Sequence, residues 1–220
     1  MKNYKYILFD LDGTITQSEF GIVKSARVAL QKMGINTDDE SDKEMLKFIG
    51  PPLYNSFHDF YGMNEEDALL AVQYYREYYE TEGLFDAPLY DGIREVIEKL
   101  VEEKKMVFIV TSKPGVTAER IVEHFGLSDS IIAVIGPNKD ERSPEKKKLI
   151  ERAISENHIR DKDLVIMIGD RRYDVEGARQ AGVDSIGVLY GYGSRTELEE
   201  AGATYIATAP KNILDFLIHD

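Results

Sequence analysis

Tyr6-Ile7-Leu8-Phe9-Asp10-Leu11-Asp12-Gly13-Thr14 is the stretch whose reading decides the fold. Ile7, Leu8 and Phe9 form a short apolar run of the kind buried inside a parallel sheet. The run ends on Asp10, and Asp12 and Gly13 follow, so a predicted strand stops in two acids and a residue that lets the backbone turn sharply. An open α/β sheet binds its ligands beyond the carboxyl ends of its strands. The same residues also read as an ordinary Asp-Gly turn, and the chain on either side decides between the two.

From Thr14 the pattern is helical. Phe20, Val23, Ala26, Val28, Ala29 and Leu30 recur at helical spacing up to Gly34. A second helix is expected over 41–48, stopped by Gly50-Pro51-Pro52, a third from Leu53 to Tyr61 ahead of Gly62, and a fourth from Glu65 to Tyr79. The fourth carries Tyr74, Tyr75, Tyr78 and Tyr79, a stripe that reads as packing within the helices, or as support for a dimer. No strand is expected between Thr14 and Gly83.

From Asp91 helices alternate with apolar runs. The runs are Met106–Val110, Ile131–Ile135, Leu164–Ile168, Ser185–Val188 and a weak Thr204–Ala207. The helices between them are expected to reach about Glu103, to span Thr117–Phe125, to run from Pro144 to about Glu156, and to span Val175–Ala181. This alternation predicts an α/β fold, a Rossmann-like parallel sheet covered by helices on both faces. The core is expected over 1–15 and 86–220, with an all-helical lid over 16–85 inserted after the first strand.

The composition narrows the function. The chain has 220 residues, 43% hydrophobic and 30% charged, enough for a sizeable core, and a net charge of −13. Such an acidic chain is not expected to bind nucleic acid or an anionic membrane surface. There are no cysteines, which excludes disulfides, thiolate metal sites and cysteine nucleophiles. Met1-Lys2-Asn3-Tyr4 leads directly into strand-like sequence, with no signal-peptide core and no long apolar span, so a cytoplasmic protein is expected.

The strand tips carry the chemistry. The first holds Asp10 and Asp12, the second Thr111-Ser112-Lys113, and the fourth Gly169-Asp170-Arg171-Arg172-Tyr173-Asp174. The crossover after the third carries Arg142 and Lys146-Lys147-Lys148. Carboxylates gathered on one edge repel each other. A divalent cation relieves that repulsion, and an all-oxygen donor set favours Mg²⁺, which keeps positions open for water and a substrate phosphate. The hydroxyls and a lysine complete a phosphate pocket, so the edge favours phosphoryl transfer. Gly191-Tyr192-Gly193 is too partial a match to a phosphate-cradling loop to count.

In order, Asp10-Leu11-Asp12-Gly13-Thr14, Thr111, Lys146 and Gly169-Asp170 with Asp174 resemble the four motifs of the haloacid dehalogenase superfamily. The helical insertion, Gly50-Pro51-Pro52-Leu53, Ser185-Ile186-Gly187-Val188 and Tyr190-Gly191-Tyr192-Gly193 are similar to its phosphoglycolate phosphatase and 5′-nucleotidase-like subgroup, with a helical cap. The resemblance implies that Asp10 is the nucleophile and Asp12 the general acid and base. It implies that Thr111, Ser112 and Lys146 hold the phosphoryl oxygens. Mg²⁺ would sit on Asp10, the Asp12 carbonyl and Asp170, with Asp174 in support. In one departure, the third-motif lysine is not followed by proline. Lys146 is chosen for its distance ahead of Leu149 and Ile150, and Lys147, Lys148 and Arg142 are the alternatives.

The expected function is a Mg²⁺-dependent phosphatase acting through an aspartyl-phosphate on a small phosphomonoester, either phosphoglycolate-like or a nucleoside monophosphate. The expected protein is a monomer or homodimer. The competing reading is a phospho-acceptor or Mg²⁺-binding regulatory module without turnover. Lys113 is expected either to reach the substrate or to point to solvent. Arg171 and Arg172 are expected to contact substrate or pair with acids. His58, His124, His158 and His219 are expected on the surface or in packing, and Asp38-Asp39-Glu40, ahead of a lid helix, is expected to serve helix-start chemistry and solvation.

Overall fold

The computed structural model describes residues 2–49, 53–138 and 145–218. Gly50, Pro51, Pro52, Arg142, Pro144 and His219, all singled out above, lie outside the described residues. The chain divides into two compact units, Met1–Gln17 with Leu89–Asp220, and Ser18–Pro88.

The first unit is a six-stranded sheet in which every pairing is parallel. Its strands are β1 (Tyr6–Phe9), β2 (Met106–Val110), β3 (Ala133–Ile135), β4 (Val165–Gly169), β5 (Asp184–Val188) and β6 (Tyr205–Ala207), in the spatial order β3-β2-β1-β4-β5-β6. The founding strand is therefore central. Phe9 lies in register with Ile109 on one side and Ile168 on the other, so Asp10, Val110 and Gly169 follow at one level. The chain runs outward from β1 through β2 to β3, then returns to the other side of β1 with β4. That reversal opens a crevice at the carboxyl ends of β1 and β4.

Alternating side chains point to opposite faces of a strand, and both faces here are apolar. Leu8, Phe108, Val110 and Met167 pack against Leu149, Ile150, Ala153 and Ala178. These come from two helices of this unit, Lys146–Glu156 and Arg172–Ala181. On the other face Ile7, Phe9, Val107 and Ile109 are fully buried, and the helix Ile93–Glu102 packs beside β2.

The second unit is helical, with α1 (Glu19–Lys32), α2 (Asp42–Met45), α3 (Leu53–Tyr61) and α4 (Glu65–Tyr78). The helices already mentioned continue the numbering as α5 (Ile93–Glu102), α7 (Lys146–Glu156) and α8 (Arg172–Ala181). α6 (Gly115–His124), α9 (Arg195–Ala201) and α10 (Leu214–Leu217) complete the first unit. Ala26, Ala29, Ala68 and Ala71 let α1 and α4 pack closely, and Phe48, Phe57 and Tyr75 fill the space around them. The tyrosine stripe is packing: Tyr75 stacks on Tyr79 with centroids 5.5 Å apart, and Tyr74 faces Lys32.

Several local expectations shift. α4 does not run on as a regular helix but widens into a π-helical turn over Tyr79–Gly83. That turn brings Gly83 against Gly21, where neither residue has room for a Cβ. Asp38 and Asp39 are exposed ahead of α2, as solvation requires, but the helix start is made by other residues. Ser41 and Glu44 form a capping box there, while Glu40 turns to Lys47 and the Tyr61 hydroxyl. β3 begins two residues later than expected, leaving Ile132 exposed, and α6 begins at Gly115 rather than Thr117. α9, α10 and a 3₁₀ turn at Pro210–Ile213 had no counterpart in the sequence reading. Among the described residues no helix is long and apolar enough to cross a membrane.

Candidate active site

Asp10 leaves β1 with its N–H donating to the Ile168 carbonyl at 2.8 Å, an extension of sheet pairing that pins it between β2 and β4. Gly13 makes the turn that follows, at a φ of 80°. A Cβ there would strike the Asp170 carboxylate, so the residue supplies both a left-handed turn and the space for an acid. Thr16 donates through its hydroxyl to the Leu11 carbonyl and closes the turn.

Lys146 comes from the first turn of α7. Its side chain passes over Gly177 of α8, where a Cβ would lie 2.8 Å from Lys146 Cβ. Nζ donates to Asp10 Oδ1 at 2.8 Å and to the Val110 carbonyl at 2.9 Å, and pairs with Asp174 Oδ1 at 2.7 Å. Lys146 is only 7% exposed, a degree of burial lysine tolerates only when paired. Lys147 instead pairs with Glu151 along the helix, and Lys148 is exposed.

Asp174 explains why α8 begins three residues before the predicted start. Its Oδ2 accepts from the Arg171 N–H at 3.1 Å and ties off the helix terminus, while Oδ1 faces Lys146. Asp170, fully buried, accepts from the Tyr192 N–H at 2.8 Å and from the Thr14 hydroxyl at 3.4 Å. Asp10, Asp170 and Asp174 each present one carboxylate oxygen within 4.8 Å of the others. The Asp12 carboxylate is outside that cluster and pairs with Lys113 at 3.0 Å. Thr111 is buried at the tip of β2, its N–H donating to the Ile135 carbonyl and its hydroxyl accepting from the Lys113 N–H at 3.2 Å. Ser112 beside it is exposed.

The electrostatics follow from burial. Desolvation pushes the Asp170 carboxyl up to about 8, with the charges of Asp174 and Asp10 adding to it. Desolvation also raises Asp10 to about 7, against the pull of Lys146. Burial by itself would lower Lys146, but Asp10 and Asp174 more than reverse that and hold its proton firmly. Three buried carboxylates facing one buried ammonium leave two negative charges uncompensated when all ionise. A divalent cation with a preference for oxygen ligands supplies that charge, so the donor set fits Mg²⁺ or a similar ion.

The sequence reading noted the segment beyond β5 as a subgroup resemblance and set it aside as a phosphate-cradling loop, and gave it no place at the site. Gly191 and Gly193 lie flush against the site: a Cβ on Gly191 would overlap the Gly13 carbonyl oxygen, and one on Gly193 the Asp170 carbonyl oxygen. Tyr192 between them donates its N–H to Asp170. Tyr190 donates its hydroxyl to the Thr14 carbonyl at 3.0 Å and packs edge-on against Tyr90. Burial, then the Asp170 charge, raises the Tyr190 phenol and keeps it a neutral donor. The available signal was two glycines around a tyrosine immediately beyond a predicted strand on the same sheet edge. The remaining candidates have ordinary roles. Arg171 pairs with Glu197 at 2.9 Å and Arg172 with Glu176 at 2.8 Å. His58 pairs with Asp59 and His124 packs on Phe125.

Comparison with known proteins identifies the family. Residues 7–188 match the family model for haloacid dehalogenase-like hydrolases. A 5′-nucleotidase of Pseudomonas aeruginosa is 40% identical over 203 residues, spanning 92% of this chain and 90% of the relative. Tyrosine-protein kinase PtkA of Mycobacterium tuberculosis is 32% identical over 204 residues, spanning 92% of this chain and 68% of the relative. The crystal structure of a candidate phosphatase from Clostridium difficile superposes with a TM-score of 0.95 at 40% identity, covering 99% of this chain and all 100% of the other. With its acids at the tips of β1 and β4 and the family match running from β1 to the end of β5, the chain belongs to the haloacid dehalogenase-like hydrolase family.

Proposed function

We propose that the protein is a Mg²⁺-dependent phosphatase that hydrolyses a small phosphomonoester through an aspartyl-phosphate on Asp10. The observation that carries the reading is the buried cluster of Asp10, Asp170 and Asp174 around Lys146. Asp10, Asp170 and the Asp12 carbonyl would hold the metal, with Asp174 in support. When bound, Mg²⁺ neutralises charge on the phosphoryl oxygens and orients them.

The chain's own residues then divide the work. Asp10 attacks phosphorus, and the bond to the leaving oxygen breaks as Asp12 gives that oxygen a proton. The Asp12 carboxylate next takes a proton from water, whose oxygen bonds to phosphorus as the bond to Asp10 breaks. The cycle closes with Asp10 free and Asp12 protonated. Lys146 holds its proton against two carboxylates, so it keeps Asp10 aligned and offsets charge on the phosphoryl group. Thr111 and the Ser112 N–H receive the remaining oxygens. The helical unit serves as a cap that excludes water and selects the substrate.

Phosphoglycolate and nucleoside 5′-monophosphates are the substrates to test first, and the relative named 5′-nucleotidase favours the second. The test is phosphate release from 2-phosphoglycolate, nucleoside monophosphates, sugar phosphates and pyrophosphate, with Mg²⁺, with EDTA, and with Asp10→Asn. Release that needs the metal and is lost in the variant supports the reading, and its distribution over the panel names the substrate. Mg²⁺ binding by a folded protein without release from any compound overturns it in favour of the regulatory module.

A further inference from the structure

Lys113 was expected to reach the substrate or point into solvent; its side chain turns inward to Asp12. It lies three residues beyond the end of β2, and its own N–H donates to the Thr111 hydroxyl, which folds the turn back toward the sheet edge. Its side chain is 7% exposed, and Nζ lies 3.0 Å from Asp12 Oδ1. That oxygen is buried and, among the described residues, accepts no hydrogen bond of ordinary geometry, so the Lys113 charge is what faces it. Burying an ammonium beside a carboxylate is costly unless the pair is held in place. The two lysines face different acids: Lys146 pairs with Asp10 and Asp174, and Lys113 with Asp12.

We propose that Lys113 is a positioning residue for Asp12, fixing the rotamer from which Asp12 exchanges protons during turnover. The inference rests on the phosphatase reading above. Asp12 sits in a turn, and among the described residues its Oδ1 accepts no hydrogen bond that would hold the carboxylate. An acid that must meet first a leaving oxygen and then a water gains from being held, because a displacement of about 1 Å costs on the order of 10²-fold in rate.

Two kinds of leaving group separate this role from its rivals. An alkyl phosphate needs Asp12 to protonate the departing oxygen, whereas p-nitrophenolate departs from p-nitrophenyl phosphate unprotonated. Because kcat/KM reports the steps up to departure of the leaving group, it isolates the first use of Asp12. The experiment compares wild type, Lys113→Met, Lys113→Gln and Lys113→Arg on p-nitrophenyl phosphate and on the alkyl phosphate that wild type turns over fastest. Folding of each variant is checked by circular dichroism.

For Lys113→Met and Lys113→Gln we expect kcat/KM to fall about 10²-fold on the alkyl phosphate. On p-nitrophenyl phosphate it should fall several-fold at most. KM should change little, and Lys113→Arg should recover most of the alkyl phosphate activity. Equal losses on both substrates, carried mainly by KM, would make Lys113 a substrate ligand and overturn the proposal. So would full activity in every folded variant. If Lys113→Met and Lys113→Gln do not fold, Lys113→Arg decides: a loss confined to the alkyl phosphate supports the role, and an equal loss overturns it. Wild type inactive on both compounds fails the phosphatase reading itself, a result distinct from any of these.

Discussion

A lysine that is 7% exposed and touches two carboxylates acts mainly through its charge, so deleting the charge and reshaping it are different experiments. In Lys146→Met the Asp10 and Asp174 carboxylates lose their partner and are left buried. Breaking a buried pair in this way costs about 3–5 kcal/mol. The cost should shrink at acid pH, where Asp10, raised to about 7 by burial, takes up a proton and no longer needs the ammonium. Urea unfolding in EDTA should therefore show a larger deficit for Lys146→Met at pH 8 than at pH 5.5. Equal deficits would mean that Lys146 stabilises by packing rather than by charge. Phosphate release by this variant should also fall by at least about 10²-fold, the scale of losing one preorganised charge at a reacting centre. Lys146→Arg keeps the charge but replaces a compact ammonium with a planar fork. It should recover stability more fully than activity.

The segment Gly191–Gly193 is an element with no regular secondary structure and a demanding position. Its two glycines leave no room for a side chain against Gly13 and Asp170, and the peptide between them donates to the Asp170 carboxylate. Gly193→Ala should displace the Asp170 backbone, weaken metal binding about ten-fold or more, as loss of support behind a metal ligand does, and leave the sheet folded. Isothermal titration with Mg²⁺ and a circular dichroism spectrum check both halves of that statement. In the helical unit, Ser41→Ala removes one arm of the capping box and should cost about 1 kcal/mol, read from urea unfolding. The legibility of the sequence divides along the same line. Strands β1, β2 and β4 could be read because each is an apolar run ending in a chemically distinctive residue. Asp10, Thr111 and Asp170 could be picked out because strand tips in a parallel sheet share one edge, whereas Lys146 and Asp174, which lie on helices, were singled out by spacing and by resemblance. What could not be read depends on who sits opposite. Gly191 and Gly193 matter because of Gly13 and Asp170, and Gly83 because of Gly21, distant partners that no local pattern names. Lys113 was ambiguous for the same reason, since its partner is 101 positions away in a turn. α9 escaped notice because seven residues with only Leu198 and Ala201 buried carry too little periodicity.

On the scale of the whole molecule, the acid cluster makes stability depend on pH and metal together. Asp170 and Asp10 have folded-state values of about 8 and about 7, above the ordinary 3.8 of an unfolded aspartate. For an acid raised in this way, stability is fully present below the unfolded value and is lost as pH climbs through the folded one. The metal-free protein should therefore lose stability steadily between about pH 4 and pH 8, the interval between the unfolded and folded values. A divalent cation held by the ionised cluster would oppose that loss. At 100 times its dissociation constant, Mg²⁺ adds about 2.7 kcal/mol, and the rise in Tm on adding a fixed concentration should be larger at pH 8 than at pH 5.5. A rise independent of pH would place the ion away from these carboxylates. The central claim is that Asp10 carries the phosphoryl group, and the most direct measurement is mass spectrometry of acid-quenched enzyme. Asp12→Asn would be mixed with Mg²⁺ and p-nitrophenyl phosphate, whose leaving group needs no proton, so that the intermediate forms but its hydrolysis is slowed. The account predicts one added phosphoryl group on the peptide containing Asp10, absent from the Asp10→Asn and EDTA controls. Unmodified Asp10 with phosphate release retained in Asp10→Asn would contradict it.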